Sequence, residues 1–110
     1  MTSANQIVFQ AKEGKAKELK ELLNTLVEFS LDYSGCQKYE LYQLNEQREE
    51  FFIIEIFKSE KKHKSYTEDK NYKEFQAQIE PLIEFMSSNE LKLPQCLTKL
   101  GLKKKNEAST

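Results

Sequence analysis

CQKYELYQLNEQREEFFIIEIFK, residues 36–58, holds two runs rich in β-branched and aromatic residues around a short polar segment. CQKYELYQL alternates as a strand, NEQREE reads as a hairpin connection, and FFIIEIFK returns as a second strand. Successive strand side chains point to opposite faces, so Phe52, Ile54 and Ile56 share one side, with Phe51, Ile53, Glu55 and Phe57 on the other. Neither side suits open water. The sheet built on this hairpin therefore needs cover on both faces.

Upstream, NQIVFQAK at 5–12 reads as a strand closed by Gly14. Ala16, Leu19, Leu22, Leu23, Leu26 and Val27 then recur at spacings of three and four, which predicts a helix over about 15–31 with one apolar face. DYSG at 32–35 ends it with a turn. Downstream, Ser59 is a candidate N-cap for a short helix running to about Lys70. A longer helix from near Asn71 is expected to carry Tyr72, Phe75, Ile79, Leu82, Ile83 and Met86, with Pro81 kinking or restarting it. After SSNE, LKLPQCLTKLGL at 91–102 is the expected last strand, with Pro94 marking a sheet edge or bulge. KKKNEAST at 103–110 is expected to be a disordered tail.

The order strand, helix, strand, strand, helix, strand predicts one α+β domain over 1–102 with ferredoxin-like βαββαβ topology. Both helices then cover one sheet face. The simplest cover for the other is a second copy of the chain, giving a two-fold homodimer.

Composition narrows the partners. Seventeen basic and 18 acidic side chains leave a net charge of −1, so no net field attracts nucleic acid or anionic membrane. The N-terminus lacks the basic and apolar regions of a signal peptide, and FFII is too short to span a bilayer. A cytoplasmic protein is expected. Cys36 and Cys96 are too few for a disulfide scaffold, and the strand order sets their strands at opposite sheet edges.

Three short patterns, KEG at 12–14, SGCQKYELY at 34–42 and EIFKS at 55–59, occur in an order and spacing that resemble the antibiotic biosynthesis monooxygenase family of the dimeric α/β barrel superfamily. The resemblance implies a dimeric α/β barrel. It also implies oxidation of a phenolic or quinol-type small molecule by dioxygen as co-substrate, with no flavin, metal or heme cofactor. The family often places a histidine eleven residues after the glutamate of its third strand; here that position is Tyr66, and His63 falls three residues earlier. In the heme-degrading relatives a tryptophan replaces the family histidine, and a histidine ten residues beyond it holds the iron. The two corresponding positions here are Tyr66 and Gln76, so the resemblance implies no heme.

Each candidate residue has two readings. His63 is a general base or, flanked by lysines in KKHKS, a solvated surface residue. As the only histidine it has no spaced partners for a metal site. Tyr66 is a hydrogen-bonding group in a cavity or an aromatic wedge over the sheet. Its matched position favours Tyr66 over His63 as the cavity-facing residue. Glu55, on an apolar strand, must be paired or protonated, and serves as a structural anchor or as a base. Tyr39, Tyr42, Phe51 and Phe57 line a pocket for a planar aromatic molecule or belong to the dimer core. The expected activity is thus a cofactor-independent monooxygenase; the alternative is a non-catalytic barrel that binds an aromatic ligand.

Overall fold

The computed structural model describes residues 2–44 and 49–92. The elements are β1 (Ser3–Ala11), α1 (Ala16–Leu31), β2 (Cys36–Gln43), β3 (Glu50–Phe57), α2 (Glu60–Thr67), α3 (Lys70–Ile79), a 3₁₀ turn (Glu80–Leu82) and β4 (Ile83–Leu91). The four strands form one antiparallel sheet in the order β2-β3-β1-β4, the ferredoxin-like arrangement the sequence predicts.

The last strand differs from expectation. Ile83 and Met86 belong to β4, where Met86 pairs with Phe9, rather than to the preceding helix. Pro81 lies within the 3₁₀ turn and cannot donate to a continuing helix, and Ser87, Ser88 and Asn89 are poor helix formers. The open edge of β1 captures the chain instead. The stretch 93–102 of the expected strand, with Pro94 and Cys96, and the tail at 103–110 lie outside the described residues.

The helix side of the sheet carries the core. Leu19, Leu23 and Leu26 of α1 are buried against Ile7, Phe9, Phe51 and Ile53, each worth about 1.5–3 kcal/mol of apolar burial. Ser59 caps α2 by accepting from the Lys62 amide at 3.1 Å. Gly35 adopts φ +92°, and a Cβ there would meet the Lys62 side chain at 2.7 Å, so both the turn and the close approach require glycine.

Two departures from plain alternation matter. In β2, Gln37 is an extra residue: Cys36 pairs with Phe57, Lys38 with Ile56 and Tyr39 with Glu55. The bulge turns Tyr39 to the helix side, opposite Glu55. The helix-free face shows half-buried Val8, Phe52, Ile54 and Ile56 with exposed Tyr42, Phe85 and Leu91. Among the described residues, no helix is long and apolar enough to cross a membrane.

Candidate active site

A cavity of about 580 Å³ lies between the helix side of the sheet and α2 and α3. Its walls are largely apolar and include Ile7, Phe9, Leu26, Phe75, Ile79 and Met86. Polar side chains interrupt them: Tyr39, Glu55, His63 and Tyr72, with Thr67, Gln76, Glu80 and Ser88. This is the composition of a small-molecule site, and the volume falls within the ~300–1,000 Å³ such sites span.

Glu55 is the centre of the polar group. On β3 it pairs with Asn5 of β1 on one side and Tyr39 of β2 on the other. Only 2% of the residue is exposed. Oε2 accepts from His63 Nε2 at 2.8 Å and from Asn5 Nδ2 at 3.3 Å. Oε1 is buried and has no partner among the described residues. An unmatched carboxylate oxygen in largely apolar surroundings is costly to keep, so it is an acceptor that a ligand hydroxyl could satisfy.

His63 is held from three sides. Its ring stacks on Phe57 with centroids 4.9 Å apart, and Nδ1 lies 3.0 Å from Ser3 Oγ and 3.3 Å from Asn5 Nδ2. The Asn5 amide nitrogen can only donate, so Nδ1 accepts and Nε2 carries the hydrogen directed at Glu55. The imidazole thereby holds one carboxylate oxygen and leaves the other buried without a partner among the described residues.

Tyr66 stands behind the wall. It is fully buried, packs on Phe57 and Tyr72, and bonds Ser30 Oγ at 2.6 Å and the Tyr39 hydroxyl at 3.0 Å. The expected order is therefore reversed in position: His63 lines the cavity and Tyr66 does not. Both lie on the inward stripe of α2, three residues apart. The Ser59 cap and the Phe57 stack place the earlier one over β3 and β1, while the later one falls one turn on, against α1.

Of the four aromatics expected around a pocket, only Tyr39 lines the cavity. Phe51 and Phe57 are buried core on the same sheet side. Tyr42 is on the opposite face, stacked on Phe52 at 5.0 Å and donating to Glu40 Oε1 at 2.6 Å. Strand alternation separates residues three apart, so Tyr39 and Tyr42 cannot share a face within one chain.

Burial pushes the Tyr39 phenol well above its ordinary range. Burial, with the charge of Glu55, pushes Tyr72 up to about 12, against a smaller opposing effect of Gln76, whose Nε2 donates to the Tyr72 hydroxyl at 3.3 Å. Both phenols are therefore donors at neutral pH. Cys36 is a free thiol whose pKa burial raises, and its Sγ faces the Lys38 carbonyl at 3.6 Å. Among the described residues, no group of three or more His, Cys, Asp or Glu side chains converges to hold a metal.

Ser3, Asn5 and Tyr72 are site residues that sequence reading missed. Ser3 and Asn5 continue the inward register of Ile7, Phe9 and Ala11, so two polar residues on a core-facing stripe were the available signal.

The fold and cavity define a ferredoxin-like α+β domain in which a buried Glu55–His63 pair lines a largely apolar cavity. The profile of the antibiotic biosynthesis monooxygenases matches residues 3–78, and the chain belongs to that family. No curated protein gives a significant match. Among solved structures, Rv0793 of Mycobacterium tuberculosis superposes with a TM-score of 0.80 at 19% identity, covering 86% of this chain and 97% of that one. PA3566 of Pseudomonas aeruginosa gives 0.77 at 24% identity, with coverage of 86% and 97%. A Nitrosomonas europaea protein provisionally named an antibiotic biosynthesis monooxygenase gives 0.79 at 16%, with coverage of 86% and 91%.

Proposed function

We propose that this protein is a cofactor-independent monooxygenase that oxidises a phenolic or quinol-type aromatic molecule with dioxygen, acting as a homodimer joined through the helix-free sheet face. Membership of the family supports the reaction class. The single observation that carries the site assignment is Glu55 Oε1, a buried acceptor without a partner among the described residues, on a residue that lines the cavity.

In this reading Glu55 is the base and His63 and Asn5 position it. A substrate hydroxyl gives its proton to Oε1, and the oxygen keeps the electron pair. The electron-rich anion then reacts with dioxygen. For a methylene carbon activated by that oxygen, one dioxygen atom becomes a carbonyl oxygen, the other leaves as water with the two hydrogens, and the substrate supplies all four electrons. The apolar walls keep water from the anion.

The test is oxygen uptake against a panel of hydroquinones, naphthols and anthrones, with no flavin or metal added. Uptake is expected for at least one substrate, falling by about 10²-fold or more in Glu55→Gln. Tight binding across the panel with no uptake would replace the enzyme reading by that of a ligand-binding barrel.

A further inference from the structure

Three hydroxyls run in line from α1 to the cavity. Ser30 Oγ lies 2.6 Å from the Tyr66 hydroxyl, and Tyr66 donates to the Tyr39 hydroxyl at 3.0 Å. A phenol has one hydrogen. Because Tyr66 directs its own at Tyr39, Ser30 must donate to Tyr66, and the chain has a single sense: Ser30 to Tyr66 to Tyr39. The Tyr39 oxygen is then occupied as an acceptor, while its hydrogen has no acceptor among the described residues.

Tyr39 is 2% exposed and lines the cavity. It pairs across the strands with Glu55, whose Oε1 is the unmatched acceptor. Opposed residues of this kind have Cβ atoms about 4.5–5.5 Å apart. Two neighbouring residues that both line the cavity thus carry an uncommitted donor and an uncommitted acceptor. One hydroxyl group of a ligand satisfies both: its hydrogen goes to Glu55 and its oxygen accepts from Tyr39.

We propose that Tyr39 is the oxyanion-holding residue of this site, with Tyr66 and Ser30 as the positioning pair that fixes the direction of its hydroxyl. This rests on the reading of Glu55 as the base. When the ligand O–H bond breaks, the proton goes to Glu55 Oε1 and the electron pair stays on an oxygen already bonded by Tyr39. The neighbouring O–H dipoles point the same way, so each strengthens the next as negative charge develops. Burial keeps Tyr39 from yielding its own proton, so it holds the anion by donation rather than by exchange.

The ionisable groups lining the cavity are Glu55, His63, Tyr39, Tyr72 and Glu80. The test uses 4-nitrophenol, whose phenolate and phenol absorb at different wavelengths, and reads the pH at which the bound probe ionises. Tyr39→Phe is expected to raise that pH by about one to two units, the worth of a lost hydrogen bond to a charged oxygen. Tyr66→Phe and Ser30→Ala, which leave Tyr39 in place, should raise it by less than about one unit. Thermal melting establishes that each variant is folded, and Ser30→Ala reads the chain should Tyr66→Phe not fold.

Unchanged probe ionisation in Tyr39→Phe would overturn the oxyanion assignment. An unchanged value in both Tyr66→Phe and Ser30→Ala would overturn the positioning role. Glu55→Gln separates the two readings: removing a neighbouring negative charge should lower the probe's ionisation pH, and no shift there rejects Glu55 as the ligand-facing base whatever Tyr39 does. A wild-type protein that binds no probe rejects both.

Discussion

His63 Nε2 sits 2.8 Å from Glu55 Oε2, joining a helix to the strand that precedes it, with side chains 23% and 3% exposed. The carboxylate depends on this bond more than the imidazole does. His63→Ala should destabilise folding by about 1–2 kcal/mol, below the ~1.5–3 kcal/mol of a fully buried charge-assisted bond because water can reach the vacated position. Urea denaturation measures it. An effect within experimental error would show that Asn5 alone satisfies Glu55.

Tyr66→Phe leaves the ring packing intact and removes one oxygen. Ser30, fully buried, then loses its acceptor and Tyr39 its donor. The expected cost is about 1–3 kcal/mol in denaturant unfolding, larger than for an exposed tyrosine such as Tyr42. Equal costs at the two positions would contradict the buried network.

Gly35→Ala should cost about 1–3 kcal/mol. The positive φ is unfavourable for any L side chain, and a Cβ would meet Lys62 Cγ at 2.7 Å and Lys62 Cβ at 2.8 Å, the latter fixed to the α2 backbone. A melting temperature unchanged from wild type would argue against the turn geometry.

Alkaline pH should loosen the protein in a defined window. Tyr39, Tyr66 and Tyr72 all have folded pKa values above the ordinary ~10 of a phenol, burial being the main cause, with Tyr72 at about 12. Between those values the folded state retains protons that the unfolded state has released. The stabilisation is therefore fully present below about pH 10 and is lost as pH rises through the folded values. Urea midpoints should fall across pH 10–12, and less steeply in Tyr72→Phe. A flat profile would mean that the phenols are solvated.

On the helix-free face, Ile54 sits among Phe52, Ile56 and Val8 in a strand with neighbours on both sides. The chain is expected to be a dimer by light scattering at micromolar concentration, with an interface of at least about 2,000 Å². Ile54→Lys should yield monomer. A monomeric wild type would leave this apolar face without its expected cover.

The hairpin of β2 and β3 was legible because alternation and β-branched content agree there, and the α1 stripe because its leucines repeat without interruption. The end of the second helical region was not. Leu82, Ile83 and Met86 keep a helical spacing by coincidence, and pairing with the open edge of β1, a contact far away in sequence, decides their state. At the site, Glu55 stood out as a charge on an apolar strand. His63 was obscured by its lysine neighbours, although Lys61 and Lys64 simply occupy the solvent side of the helix on which His63 and Tyr66 face inward. The Tyr39–Tyr66–Ser30 line joins three elements and leaves no local pattern to read.

The extra residue in β2 has an electrostatic consequence. Cys36 stands opposite Phe57, and without Gln37 as a phase shift, counting on from that pair would bring position 38 opposite Glu55. Position 38 is a lysine. Its ammonium beside a buried carboxylate would form an ion pair, neutralising the acceptor and holding its free oxygen. One unpaired residue in the turn of a strand thus decides whether Glu55 meets a phenol or a cation, and with it whether the carboxylate is available to a ligand or locked as a structural salt link.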